Sequence, residues 1–217
     1  MKPADDPTVD YRRLVRDGYD RCSAAYTEAR RREPGRELEP LLERLDPRSR
    51  VLDLGCGGGL PIAAALARAG HRVTGVDVSA EQIERARENV SGAEFMLADA
   101  MAVDFAPESF DAVVSFYAIF HLPREEHEEL FRRITRWLRP GGYLMATVTR
   151  VREDAYTEDC FFGVRMYWSN WSLDDYRAML QRADFELLES EVLGHGYDDT
   201  KQRRPESHPL LFARKRE

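Results

Sequence analysis

In the stretch Asp53-Leu-Gly-Cys-Gly-Gly-Gly59 an acidic residue precedes a run of glycines. Glycines let a backbone turn sharply and let a ligand approach with no Cβ in the way. A second acid, Asp77, closes the next apolar segment, where a carboxylate accepts hydrogen bonds from both hydroxyls of a ribose. Together they point to a nucleotide-like ligand; the alternative is a glycine-rich turn that binds nothing. The dinucleotide pattern Gly-x-Gly-x-x-Gly needs a glycine where Leu60 stands, so the spacing here is the tighter Gly-x-Gly-x-Gly. His121 is the leading candidate for a base, because imidazole titrates near neutrality and takes a proton from a phenol, hydroxyl or amine. Its structural alternative is to cap the helix that starts near Arg124 or to hold a backbone carbonyl. Tyr117 in the same loop is the second catalytic candidate. Phe161, Met166, Tyr167 and Trp168, in the aromatic run Cys160 to Trp171, suit a flat or apolar substrate; otherwise they pack an insert onto the fold. His195, Asp198 and Asp199 carry metal-ligand chemistry, but they read as a solvated turn and no metal is expected.

These residues need elements to position them. Val15, Tyr19, Cys22 and Tyr26 recur at helical spacing between Thr8 and about Arg32, with Gly18 as a break between two helices. A second helix carries Leu38, Leu41, Leu42 and Leu45. Short apolar strands then alternate with helices: Arg50 to Leu54, Arg72 to Asp77, Ala93 to Ala98, Asp111 to Phe116 and Tyr143 to Thr149. Pro61 and Gly70 bracket the first intervening helix, Ser79 and Gln82 form a capping-box pattern for the next, and a third runs from Arg124 to Leu138 before the Pro140-Gly-Gly142 turn. A non-repeating insert from Arg150 to Trp171 precedes a helix capped by Ser172. The segments Phe185 to Leu193 and His208 to Arg214 form an antiparallel hairpin. The alternation implies a Rossmann-like α/β fold: a seven-stranded, mostly parallel sheet with helices on both faces and a ligand at the carboxyl ends of its strands. The organisation expected is one domain, with a helical cap (1–47), a cofactor-binding core (48–149), a substrate-side insert (150–172) and a last helix with the hairpin (173–217).

Composition narrows the function. Over 217 residues the net charge is -7, from 32 basic and 39 acidic side chains, and a surface that tracks nucleic-acid phosphates would show a basic excess. No stretch approaches the ~20 apolar residues of a membrane span, and Met1 to Pro7 holds no apolar signal segment, so a cytoplasmic location is the expectation. Cys22, Cys56 and Cys160 lie far apart, which argues against a disulfide framework or a cysteine zinc site. The oligomeric state is open.

The ordered set Val51-Leu-Asp-Leu-Gly-Cys-Gly57, Val73-Thr-Gly-Val-Asp77-Val-Ser79, Asp99-Ala100, Ser115-Phe-Tyr-Ala-Ile-Phe-His121 and Leu138-Arg-Pro-Gly-Gly142 resembles the motifs of class I S-adenosylmethionine-dependent methyltransferases, in their small-molecule branch. The resemblance covers residues 50 to 149 and implies S-adenosylmethionine as cofactor. It further implies that Gly55 and Gly57 line the methionine, that Asp53 sets the loop and joins the amino-group network, and that Asp77 holds the ribose. Val78 would pack on the adenine, Asp99 would accept its amino hydrogen, and Ala100 or Met101 would add a backbone contact; for Asp99 the alternative is to cap a turn. Phe116 would lie beside the sulfonium. Tyr19 to Arg30 resembles the family's lid, with Tyr19 at the substrate and Tyr26 at the methionine carboxylate; the alternative packs the tyrosines on the sheet, and Arg30 reads as solvated. The implied reaction is in-line methyl transfer to a small aromatic or apolar acceptor. The rivals are cyclisation or alkyl transfer on the same fold, or a binding protein without catalysis. Leu60 and lysines confined to Lys2, Lys201 and Lys215 argue against a nicotinamide oxidoreductase, the nearest different enzyme class.

Overall fold

The computed structural model describes residues 2–3, 10–31, 35–193, 196–197, 203–204 and 208–217. Strand β1 (Arg50–Leu54) is buried at every position after its first, the pattern of a strand covered on both faces. It is followed by β2 (Arg72–Asp77), β3 (Glu94–Leu97), β4 (Phe110–Ser115) and β5 (Leu138–Thr147). Further on, β6 (Glu153–Phe161) and β7 (Val164–Asn170) precede β8 (Phe185–Leu193) and β9 (His208–Lys215). The main sheet has the order β3-β2-β1-β4-β5-β9-β8. Strands β1 to β5 pair in parallel, and β9 runs antiparallel between β5 and β8. The expected seven-stranded sheet with its antiparallel hairpin is therefore present.

Successive side chains of β1 serve opposite faces. Leu52 and Leu54 join α5 (Arg124–Trp137) and α6 (Leu173–Arg182) around Trp137, Phe131 and Tyr176. Val51 joins α2 (Glu39–Leu42), α3 (Ile62–Arg68) and α4 (Ala80–Asn89) around Leu41, Leu66 and Ile83. The chain turns to β2 on one side of β1 and to β4 on the other, so the carboxyl end of β1 lies at the switch point where ligands of such sheets bind. No helix among the described residues is long and apolar enough to cross a membrane.

Four elements differ from expectation. Helix α1 (Tyr11–Arg30) is unbroken at Gly18. A Cβ at Gly18 would stand 3.0 Å from Met166 Cε and 3.2 Å from the Arg165 carbonyl, so this glycine lets α1 press onto β7 and does not end a helix. The insert is no irregular stretch: β6 and β7 form an antiparallel hairpin, with Lys2–Pro3 added at the free edge of β6. Pro140-Gly-Gly142 lies inside β5, whose pairing with β4 shifts register between Phe110 and Ala112 to take it up. The second helix shrinks to a 3-10 turn, Arg36–Leu38, and the single turn of α2. His195, Asp198 and Asp199 lie outside the described residues.

Candidate functional site

The glycine loop is tied to β2 before any ligand is considered. The N–H groups of Gly55 and Cys56 donate to the Val76 carbonyl at 2.8 and 3.0 Å. Asp77 Oδ2 accepts the Gly57 N–H and its Oδ1 the Ser79 N–H, both at 2.9 Å, which fixes the carboxylate and leaves each oxygen a further lone pair. Gly55 has φ +79°, and a Cβ there would come 2.2 Å from the Ala118 Cβ, so the loop after β4 closes against a position that admits glycine alone. Asp53, 2% exposed, points into this corner, and its Oδ2 finds no hydrogen-bond partner among the described residues. Burial, and then the charge of Asp77, push its carboxyl up to about 7; Arg30 opposes them. Burial raises Asp77 to about 6 against the N–H groups that stabilise its ionised form.

Arg30 corrects an expectation. It is 5% exposed, not solvated, and its guanidinium lies 4.6 Å from the centre of the Tyr117 ring. Tyr117 has φ +58°, and its N–H donates to Thr147 Oγ1 at 2.5 Å. A tyrosine in the left-handed region costs about 1–2 kcal/mol, and the surrounding bonds hold it there.

Beyond β3, Asp99 does what the turn-capping alternative describes and more. Its Oδ1 accepts the Met101 N–H at 2.7 Å, while its Oδ2 accepts Arg12 of α1 at 2.6 Å. Arg133 of α5 donates to the carbonyls of Met101 and Val103, pinning this loop from beneath. The Met101 side chain packs towards the core, and Ala100 and Val78 face the cavity.

On the opposite wall, His121 Nδ1 is 2.9 Å from the Tyr167 carbonyl and its Nε2 is 2.7 Å from the Tyr19 hydroxyl. A carbonyl only accepts, so Nδ1 carries the proton, and Nε2 accepts from Tyr19. Burial lowers His121 to about 4, partly offset by the Tyr167 carbonyl, so the ring is neutral at physiological pH. Burial, and then Tyr26, push the Tyr19 phenol well above its ordinary range. Trp168 lies 4.4 Å from the His121 ring, centre to centre; Phe161 lies 5.8 Å from Tyr19 and 5.9 Å from Tyr26. Phe161, Met166, Tyr167 and Trp168 do not line the cavity; they back its wall, and Met166 is fully buried against α1.

One cavity joins most of these groups, with Asp53, Arg30 and Met101 outside its lining. It holds about 770 Å³ of empty space, including open solvent at its mouth. Its lining includes Gly55, Gly57, Asp77, Asp99, Phe116, Tyr117, Tyr19, Tyr26 and His121. The methyltransferase-domain family matches residues 51–142, the segment that builds the donor side. The chain is 35% identical over 191 residues to the methyltransferase GfsG of Streptomyces halstedii, covering 82% of this chain and 66% of that one. It is 34% identical over 153 residues to the 27-O-demethylrifamycin SV methyltransferase of Amycolatopsis mediterranei, covering 65% and 56%. It thus spans less than two thirds of the length of these relatives. Its fold matches that of the 1,6-didemethyltoxoflavin-N1-methyltransferase of Burkholderia thailandensis, solved with 1,6-didemethyltoxoflavin and S-adenosylhomocysteine, with a TM-score of 0.74 at 19% identity, covering 99% of this chain and 94% of that one. Residues 51–142 belong to the methyltransferase-domain family, and the chain has the fold of S-adenosylmethionine-dependent methyltransferases.

Sequence reasoning missed two residues of the cavity lining, Tyr11 and Arg12. Their signal was present: the α1 stripe of Val15, Tyr19, Cys22 and Tyr26, extended by one turn towards the N-terminus, reaches both.

Proposed function

We propose that this protein transfers the methyl group of S-adenosylmethionine to a proton-bearing oxygen or nitrogen of a small aromatic or apolar acceptor, with Tyr19 and His121 removing the proton. The observation that carries the reading is the His121 imidazole: Nδ1 committed to the Tyr167 carbonyl, Nε2 accepting Tyr19, and both rings at the wall of the cavity that holds Asp77 and the glycine loop.

The residues present fit the cofactor. Asp53 Oδ2 is a buried acceptor in want of a donor, and an α-ammonium group supplies one with the charge that burial penalises least when paired. Arg30 and Tyr26 suit the α-carboxylate beside it, Gly55 and Gly57 leave room for the chain between, and Asp77 keeps lone pairs for two ribose hydroxyls. Asp99 suits an exocyclic amine, with Val78 and Ala100 against the base and Phe116 near the sulfur. When bound, the cofactor would supply an electrophilic methyl on a cationic sulfur, a charge that is gone once the methyl has left.

Orientation is the protein's largest task here, worth up to ~7–11 kcal/mol in favourable cases. Tyr19 Oη takes the acceptor's proton as it passes its own to His121 Nε2, so the pair ends as a phenol and an imidazolium. A nearby cation holds His121 neutral before transfer, and its loss afterwards makes the imidazolium easier to form. Tyr117 and the aromatics behind the wall would shape the acceptor's place. The acidic balance of the chain and the small-molecule acceptor in the rifamycin relative's name support a small molecule over a nucleic acid.

The test is to incubate the protein with S-adenosylmethionine and candidate phenols, alcohols and amines and to identify the by-product by mass spectrometry. S-adenosylhomocysteine together with a methylated acceptor is the expected result. Methylthioadenosine would mean cyclisation or alkyl transfer, and absence of cofactor binding would remove the reading altogether.

A further inference from the structure

Helix α1 covers the cavity, and its two halves are held down by different chemistry. The C-terminal half is sewn to α4 by hydrogen bonds: Ser79 Oγ donates to Asp20 at 2.6 Å, Arg85 Nε to Ser23 at 2.8 Å, and Thr27 to Gln82 at 3.2 Å. The N-terminal half packs on β7 through Val15, Tyr19 and Met166, and at its first turn it adds a charged cluster. Arg12 gives one guanidinium nitrogen to Asp99 at 2.6 Å and the other to both carboxylate oxygens of Glu126 at 2.8 Å. Tyr11 adds its hydroxyl to Glu126 at 2.9 Å, and the Arg12 guanidinium sits 4.9 Å from the centre of the Tyr11 ring. A single arginine thus touches three elements at once: the cover, the loop after β3, and α5.

We propose that Arg12 is a positioning latch. It holds the first half of α1 over the cavity through Asp99 and Glu126, and opening this cluster limits the escape of an adenosyl ligand. The proposal rests on the reading of Asp99 as the partner of the adenine amine. That carboxylate serves two donors: it would read the base while it anchors the cover, so occupancy of the adenine end and closure of α1 draw on the same group. The planar guanidinium fork can hold two carboxylates at once, which an ammonium point charge does less well. The Arg12, Asp99 and Glu126 side chains are 36%, 23% and 29% exposed, so salt reaches the cluster and weakens it, whereas most of the bonds to α4 are not ion pairs.

The experiment measures the dissociation rate of S-adenosylhomocysteine by displacement, together with hydrogen exchange of α1 in the ligand-free protein. Arg12→Met and Glu126→Gln should each speed dissociation roughly threefold to tenfold, and the double variant should be no faster than either single one. High salt should bring the wild type to the same rate. Exchange should rise over Tyr11 to Tyr19 and stay unchanged over Ser23 to Arg30, with the melting temperature held. Arg12→Lys should recover only part of the effect. Unchanged or fully additive rates, or faster exchange along the whole helix with a lower melting temperature, would overturn the latch. If the wild-type protein binds no S-adenosylhomocysteine, the cofactor reading fails on its own, and the exchange measurement, which needs no ligand, still decides whether Arg12 holds the cover.

Discussion

His121 and His127 are built into the molecule with the same bonds. Each places one ring nitrogen on a backbone carbonyl, of Tyr167 and Leu122 respectively, and offers the other to a tyrosine hydroxyl, of Tyr19 and Tyr176. Burial lowers both to about 4. The surroundings separate them. Tyr176 is fully buried, and its hydroxyl also accepts the Trp171 N–H at 3.3 Å, so that pair is closed within the core between α5 and α6. Tyr19 and His121 stand at a cavity wall. A histidine–tyrosine pair becomes available for chemistry through what the tyrosine faces, since both rings share the same kind of partners and are lowered by the same cause, burial.

The largest effect that would break this comparison is kinetic. His121→Ala should lower turnover by about 10²–10⁴-fold with cofactor affinity nearly unchanged, and Tyr19→Phe should follow it; wild-type turnover in either variant would retire the pair as the proton path. Tyr176→Phe should do the reverse. It leaves the buried His127 Nδ1 without its donor, so unfolding in denaturant should show a loss of about 1–3 kcal/mol, with the dissociation rate of S-adenosylhomocysteine unaltered. A kinetic defect as deep as that of His121→Ala would erase the distinction.

A smaller effect concerns pH. Neither histidine changes charge near neutrality, whereas Asp53 does, with Asp77 titrating below it at about 6. Its carboxyl, raised to about 7, favours the ligand-free fold while protonated. That contribution is complete below the ordinary carboxylate pKa of about 4 and is lost as pH climbs through about 7. An ammonium group prefers the ionised form, so affinity for S-adenosylhomocysteine should rise about tenfold between about pH 6 and pH 8. Asp53→Asn should flatten that slope in a calorimetric titration, and a slope that survives the substitution would assign the titration to another group.

Legibility in the sequence followed how local each signal was. Strands β1 and β2 and the start of α6 stood out because apolar runs, glycines and the Ser172 cap lie within a few residues of one another; Ser172 forms a complete capping box with Asp175. The acids Asp53, Asp77 and Asp99 were legible for the same reason, each closing or following a strand. Strands β6 and β7 were not. They pair with each other and with Lys2–Pro3, and their turn at Phe162-Gly163 lacks the Asn-Gly signature of a tight hairpin although both residues have positive φ. Gly18 looked like a break because its neighbour in space, Met166, is far along the chain. His121 could be named but its partners could not: Tyr19 and Tyr167 reach it from α1 and β7, and nothing local predicts that meeting.

Strand β9 stands between β5 and β8 and pairs with both. Until β9 has been made, β5 therefore keeps an open edge and β8 has no neighbour in the main sheet. Closure of the sheet waits for β9, and long-range pairing of this kind is slow. A chain cut short before His208 would present two unfilled strand edges at once, the surface most prone to pair with another copy.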